Sequence, residues 1–125
     1  MILLVDANVL VWSLADPLEI AAAARQAIAS PANDVLVSAA SVWELGIKQA
    51  RGKLRLPEGL ATAVEALGFN GLPVTLEDAE VAAALPAHHR DPFDRMLVAQ
   101  ARRLDAVVVT RDRAFGAYDV KVLTA

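Results

Sequence analysis

Three short apolar runs each stop abruptly at a polar residue. Ile2 to Val5 reads ILLV and ends at Asp6. Asp34 to Ser38 reads DVLVS. Ala106 to Thr110 reads AVVVT, with Asp112 two residues further on. Each run is apolar throughout rather than alternating, the pattern of a strand covered on both faces. Helix-length segments separate them. Strands that alternate with helices predict an α/β fold: a central, mostly parallel sheet with helices on both faces. Such sheets bind ligands beyond the C-terminal ends of their strands, where the polar stops of these runs fall.

The remaining elements follow from spacing. Short strands are expected at Leu72–Thr75 and Val120–Leu123. Helices are expected at Asn8–Leu14, Leu18–Ala29, from a Ser38 cap to Gly52, at Pro57–Leu67 with Pro in its first turn, at Glu77–Leu85 and at Pro92–Leu104. There are no repeats or long linkers, so residues 1–125 are expected to form a single domain. The hydrophobic fraction of 56% exceeds the roughly 45–50% of average soluble domains, which leaves apolar surface for a partner. Cysteine is absent, excluding disulfides and thiolate metal sites. No apolar run approaches the roughly 20 residues of a membrane span. The start, MILLVDAN, has no basic segment and carries an acid at position 6, unlike a secretion signal. A cytoplasmic protein without membrane attachment is expected.

Four acids fall toward the expected ligand edge. Asp6 ends the first strand, Asp112 follows the late Val-rich strand, Asp94 lies in the first turn of the Pro92 helix, and Glu44 sits among Val42, Trp43, Leu45 and Ile47. Each has an ordinary alternative. Asp6 and Asp112 suit turns, Asp94 suits the positive end of a helix dipole, and Asp91 before Pro92 suits an N-cap. Glu44 is harder to explain as surface, because so apolar a helix has little solvent face. Converging carboxylates repel one another unless a cation joins them. Mg²⁺ and Mn²⁺ prefer such oxygen donors, and a metal held this way beside basic residues suits phosphodiester hydrolysis.

The net charge of −3 argues against a simple nucleic-acid binder, but charge is unevenly placed. KQARGKLR carries Lys48, Arg51, Lys53 and Arg55 with no acid among them. It is either a solvated face or the rim of a polyanion path. His88 and His89 are adjacent and lack a third ligand at zinc-like spacing, so a loop or rim position is expected for them.

The segments LLVDANVLVW, SAASVWELGIKQARGKL, HHRDPFDRMLVAQA and VVVTRDRAFGAYDV resemble, in order and spacing, the motifs of PIN-domain ribonucleases, specifically VapC-type toxins. The resemblance runs from Ile2 to about Leu123. It implies a PIN-like three-layer sandwich and a metal-dependent endoribonuclease, the toxin of a type II toxin–antitoxin pair. By it, Asp6, Glu44, Asp94 and Asp112 are the catalytic and metal-holding acids. Asp94 matches the family's third acid through DRMLVA, and Asp91 belongs to the RDPFDR string of one subgroup. The residue after the first acid is often Thr or Ser in the family, whereas here it is Ala7. Asn8, Asp91 and Thr110 are candidates to support the acids, and Lys48, Arg51 and Lys53 to contact RNA. The resemblance further implies Mg²⁺ or Mn²⁺, a homodimer and a VapB-type antitoxin. An alternative is a PIN-like RNA- or protein-binding module without nuclease activity, whose mark would be a lost acid. A receiver domain fits poorly, since VDAN holds one acid and no Asp follows DVLVS. A haloacid-dehalogenase-like phosphatase would want a second Asp where Asn8 stands.

Overall fold

The computed structural model describes residues 1–125. Five strands form one sheet: β1 (Ile2–Val5), β2 (Asp34–Ser38), β3 (Asn70–Leu72), β4 (Val107–Thr110) and β5 (Lys121–Thr124). Their order is β3-β2-β1-β4-β5, and every neighbouring pair is parallel. The six α-helices are α1 (Ala7–Ala15), α2 (Ala22–Ala29), α3 (Ala39–Ala50), α4 (Leu60–Ala66), α5 (Leu76–Ala84) and α6 (Pro92–Leu104).

The strands alternate sides, as a period of two requires. Leu3, Val5, Val35, Val37 and Val109 face one way, onto a core that includes Val9, Leu10, Ala24, Leu45, Leu60 and Val64. Leu4, Leu36 and Val108 face the other, onto Leu85, Leu97, Val98, Ala101, Phe115 and Tyr118. Both faces are therefore closed, and the result is the expected three-layer sandwich.

Chain order reverses at β1. From there β2 and β3 extend one way, β4 and β5 the other. The crevice beyond β1 and β4 is the topological switch point, the usual ligand position in such sheets. In-register pairing of Val5 with Val109 brings Asp6 beside Thr110, and the Asp6 N–H donates to the Val109 carbonyl at 3.1 Å.

Three expected elements differ. The strand expected at Leu72–Thr75 lies at Asn70–Leu72, because the backbone of Asn70 and Gly71 pairs with Leu36 and Val37, while Pro73 has no N–H to extend the ladder. The helix expected from Pro57 starts at Leu60, after Gly59 adopts φ +68. That left-handed turn ends the preceding loop, and a side chain at Gly59 would strain it. The Leu18–Ala29 segment divides into a 3-10 turn (Pro17–Glu19) and α2, with Ile20 buried in the core between them.

Helices α5 and α6 are clamped by an ion pair that sequence spacing did not suggest. Arg103 Nε and Nη2 donate to the two carboxylate oxygens of buried Asp78 at 2.7 and 3.0 Å. Asp78 also closes a reciprocal capping box with Thr75. Burial alone would raise the Asp78 pKa, but hydrogen bonds from Arg103 and Thr75 outweigh it and hold the group below its ordinary value. A depressed carboxylate stabilises the fold above its unfolded pKa, and that contribution is lost as pH falls through the folded value. Asp78→Asn is therefore expected to lower the melting temperature at about pH 7, with the deficit shrinking below about pH 4. Thermal melts across that range check it. A deficit independent of pH would show that the clamp acts through packing alone.

Candidate acidic site

The carboxylates are built into the starts of the elements that follow the strands. Asp6 is the N-cap of α1, and its Oδ1 accepts from Val9 N at 2.8 Å. Its Oδ2 accepts from the Thr110 hydroxyl at 2.5 Å, and Thr110 Oγ1 accepts in turn from Asp112 N at 3.0 Å. Asp112 caps the 3-10 turn at Arg113–Ala117 through Ala114 N. Asp91 caps α6 by accepting from Phe93 N at 2.8 Å, with Pro92 in the first turn. Three acids thus have helix-start roles, while Asp94 lies within the first turn of α6 and Glu44 midway along α3.

The expected acids do converge. Asp6 is 5% exposed. The Glu44 side chain is 12% exposed and accepts from Lys48 Nζ at 3.0 Å, one helical turn away. The Asp94 and Asp112 side chains are 19% and 44% exposed, so the site grades from a buried inner wall to an open outer one. Electrostatics records the convergence. Burial foremost raises the Asp6 pKa, with the charges of Glu44 and Asp112 adding, against hydrogen bonds from Thr110 and Val9. Asp94 is pushed up to about 7, by burial first and by the negative charge of Asp91, Glu44 and Asp6, against the opposing influence of His89. Asp112 is held low, chiefly by the Ala114 N–H and also by His89.

The supporting candidates divide. Thr110 bridges Asp6 and Asp112, and Asp91 is both a cap and a charge acting on Asp94. Asn8 is exposed and makes no hydrogen bond to any of the acids, because its position on α1 turns it to solvent. Of the basic segment, Lys48 reaches the site through Glu44, while Arg51 and Lys53 are exposed at and beyond the end of α3.

His89 is the residue whose contacts the sequence did not suggest. It lies on a loop, as expected, but its ring turns onto the two outer acids, with Nε2 3.0 Å from Asp94 Oδ2 and 2.8 Å from Asp112 Oδ2. His88 is exposed, edge-on to Tyr118. The only available signal was that His89 stands two residues before the Asp91 cap, which turns the loop back over α6.

Carboxylate oxygens are the hard donors that suit Mg²⁺ or Mn²⁺, and a cation would offset both the burial and the neighbouring negative charge that raise Asp94. Residues 3–121 match the PIN domain family. The chain belongs to the PIN-domain family. Within it, ribonuclease VapC22 of Mycobacterium tuberculosis is 35% identical over 88% of this chain and 86% of its own length, which places this PIN domain with the VapC-type proteins. FitAcB of Neisseria gonorrhoeae superposes with a TM-score of 0.63 at 26% identity, covering 98% of this chain and 96% of that one. VapBC2 of Rickettsia felis, solved with a DNA fragment from its promoter, gives a TM-score of 0.73 at 14% identity, covering 99% and 98%.

A raised carboxyl pKa favours the fold below its unfolded value, and that contribution is lost as pH rises through the folded one. Chelator-treated protein should therefore lose stability as pH rises from about 4 to about 7. Asp94→Asn should flatten that decline and hold or raise the melting temperature at neutral pH. An unchanged pH profile in Asp94→Asn would place the responsible group elsewhere.

Proposed function

We propose that this PIN domain, residues 1–125 acting as one unit, is a divalent-metal-dependent endoribonuclease and the toxin of a type II toxin–antitoxin pair. The observation that carries the proposal is the set of four carboxylates at the switch point of the sheet, where the charges of Glu44 and Asp112 help burial raise Asp6, and those of Glu44 and Asp6 help it raise Asp94. Family membership and the VapC22 relative support the same reading.

Asp6, Glu44, Asp94 and Asp112 are the residues that would hold Mg²⁺ or Mn²⁺. An ion bound there supplies Lewis acidity, lowering the pKa of a water and offsetting charge on the leaving oxygen. The protein's own part is orientation and charge. Thr110 fixes the Asp6 carboxylate, the α1 cap fixes its other oxygen, and Lys48 restrains Glu44. Asp94, pushed up to about 7, is part-protonated near neutrality and must release that proton before both its oxygens can act as ligands. Arg51 and Lys53 extend a cationic path for the RNA backbone past the end of α3, beyond the acids. With RNA as substrate, the protein acts in the cytoplasm, and no helix is long and apolar enough to cross a membrane.

The partners implied are a VapB-type antitoxin and a second copy of the chain. What supports them is an apolar groove beside the acids, lined by Ala40, Trp43, Val74, Pro92, Phe93 and Met96. Trp43 is 66% exposed and packs edge-on to Phe93, and Leu76, two residues after Val74, is 87% exposed. Exposed apolar surface of this kind marks protein contact.

Asp6→Asn, Glu44→Gln, Asp94→Asn and Asp112→Asn should each retain the fold by circular dichroism and lose most Mn²⁺-dependent cleavage of a mixed RNA substrate. Full activity in Asp6→Asn or Asp94→Asn overturns the assignment. Metal-independent RNA binding without any cleavage by wild type would support a binding module instead. Neutralising Arg51 and Lys53 should weaken RNA binding and flatten its salt dependence, by a slope of about 0.7 for each single-strand phosphate that is no longer neutralised. An unchanged slope makes them solvated surface. Light scattering at micromolar concentration should give a dimer that Trp43→Ala weakens, and the small protein encoded beside the chain should bind it and suppress cleavage. A wild-type monomer, or undiminished cleavage with that protein bound, removes the corresponding partner.

A further inference from the structure

His89 sits among the acids with a geometry that specifies its role. The backbone N–H of Asp91 donates to His89 Nδ1 at 3.3 Å. A nitrogen that accepts a hydrogen bond carries no hydrogen, so the neutral ring has its hydrogen on Nε2. That N–H donates to Asp112 Oδ2 at 2.8 Å, and Asp94 Oδ2 lies 3.0 Å from the same nitrogen without sharing the hydrogen bond. To ligate a metal through Nε2, the ring would have to move its hydrogen to Nδ1, where it would meet the Asp91 N–H head-on. Reversing the ring is opposed by its surroundings, since Phe115 packs edge-on against it with ring centres 5.8 Å apart.

The loop carrying His89 is held as firmly as the ring. The Arg95 guanidinium donates to five backbone carbonyls, those of Ala82, Ala83, Leu85, Pro86 and His89. It gathers the end of α5 and the following loop onto α6. Tyr118 adds a second tether: its hydroxyl accepts from His89 N at 2.8 Å and donates to Pro86 O at 2.9 Å. A ring held by the Asp91 N–H and Phe115 on a tethered loop, with its donor hydrogen given to Asp112, is organised to orient that carboxylate.

We propose that His89 is a positioning residue of the acidic site: a hydrogen-bond donor that holds Asp112 in place beside Asp94 and stays outside the metal's own ligand set. The proposal rests on the metal-binding reading above. It is distinct from it, because an all-carboxylate site needs no imidazole, and because a His–Asp–Asp grouping would otherwise be taken for a three-ligand metal centre.

The experiment is Mn²⁺ titration of the wild-type chain and of His89→Gln, His89→Asn and His89→Ala, followed by electron paramagnetic resonance. Bound and free Mn²⁺ give the affinity, and pulsed spectra report any directly coordinated ¹⁴N. Glutamine can place an N–H donor near the position of Nε2, whereas asparagine is too short. Wild type is expected to bind Mn²⁺ without the coupling of a ligated nitrogen. His89→Ala and His89→Asn should bind about 10- to 100-fold more weakly, and His89→Gln should recover most of the loss. Thermal melts identify any variant that has lost the fold, and the glutamine variant then decides. A ¹⁴N coupling in wild type that disappears in His89→Ala overturns the proposal by making His89 a ligand. Wild-type affinity in His89→Ala overturns it by making the contact incidental, as does a folded His89→Gln no tighter than His89→Ala. Failure of wild type itself to bind Mn²⁺ would instead remove the metal reading on which the proposal rests.

Discussion

The short bond from the Thr110 hydroxyl to the Asp6 carboxylate joins the two halves of this fold at the point where its chain order reverses. It exists because β1 and β4 pair in register, Val5 against Val109, so that both strands end level. Asp6 begins α1 on one side of this bond, and Asp112 begins the turn after β4 on the other. A slip of one residue in that register would reverse the facing of every side chain on β4. It would bury Thr110 in an apolar layer and leave Asp6 without its partner. The parallel pairing and the acidic crevice are thus one constraint seen at two scales.

The acids serve architecture and chemistry together. Asp6 and Asp112 each give one oxygen to a backbone N–H of the following turn, while the other faces Thr110 or His89. A cap restricts a carboxylate's rotation as effectively as a neighbour would, so no separate scaffold is needed to aim these groups. Asp91 lies one turn from Asp94 and does its capping at an electrostatic cost to it, since its charge is among the causes that lift the Asp94 pKa. That tension is tolerated on α6 because Asp94 can remain protonated when no cation is near.

What could be read from the sequence was whatever local chemistry decides. The runs at Ile2–Val5, Asp34–Ser38 and Val107–Thr110 are apolar enough to be strands whatever surrounds them, and their polar stops locate the crevice. The Asp91–Pro92 start of α6 was equally plain. The short strand β3 was misplaced because Asn70 and Gly71 enter the sheet through backbone pairing, to which their side chains contribute no pattern. The late start of α4 depends on a left-handed Gly59 rather than on Pro57. The Asp78–Arg103 clamp joins residues 25 apart and is legible only once α5 and α6 are packed. His89 eluded the sequence for the same reason: nothing in HHRDPF announces that an arginine six residues on will gather the loop and turn this imidazole, not its neighbour, inward.

The acids and the loop beside them differ in their resistance to opening. The buried Asp6 N–H is bonded to Val109 across the paired strands β1 and β4. Hydrogen exchange there requires the whole sheet to come apart. The His89 amide is held by a single phenolic oxygen at the edge of the fold, so it can exchange by a local excursion of the loop that leaves the sheet intact. The acids therefore share the lifetime of the strands and helices that carry them, while the loop bearing His89 can open by itself. A substrate meets acids on fixed elements beside a loop able to yield, and the time that loop spends displaced is set by the tethers of Arg95 and Tyr118 rather than by the stability of the protein as a whole.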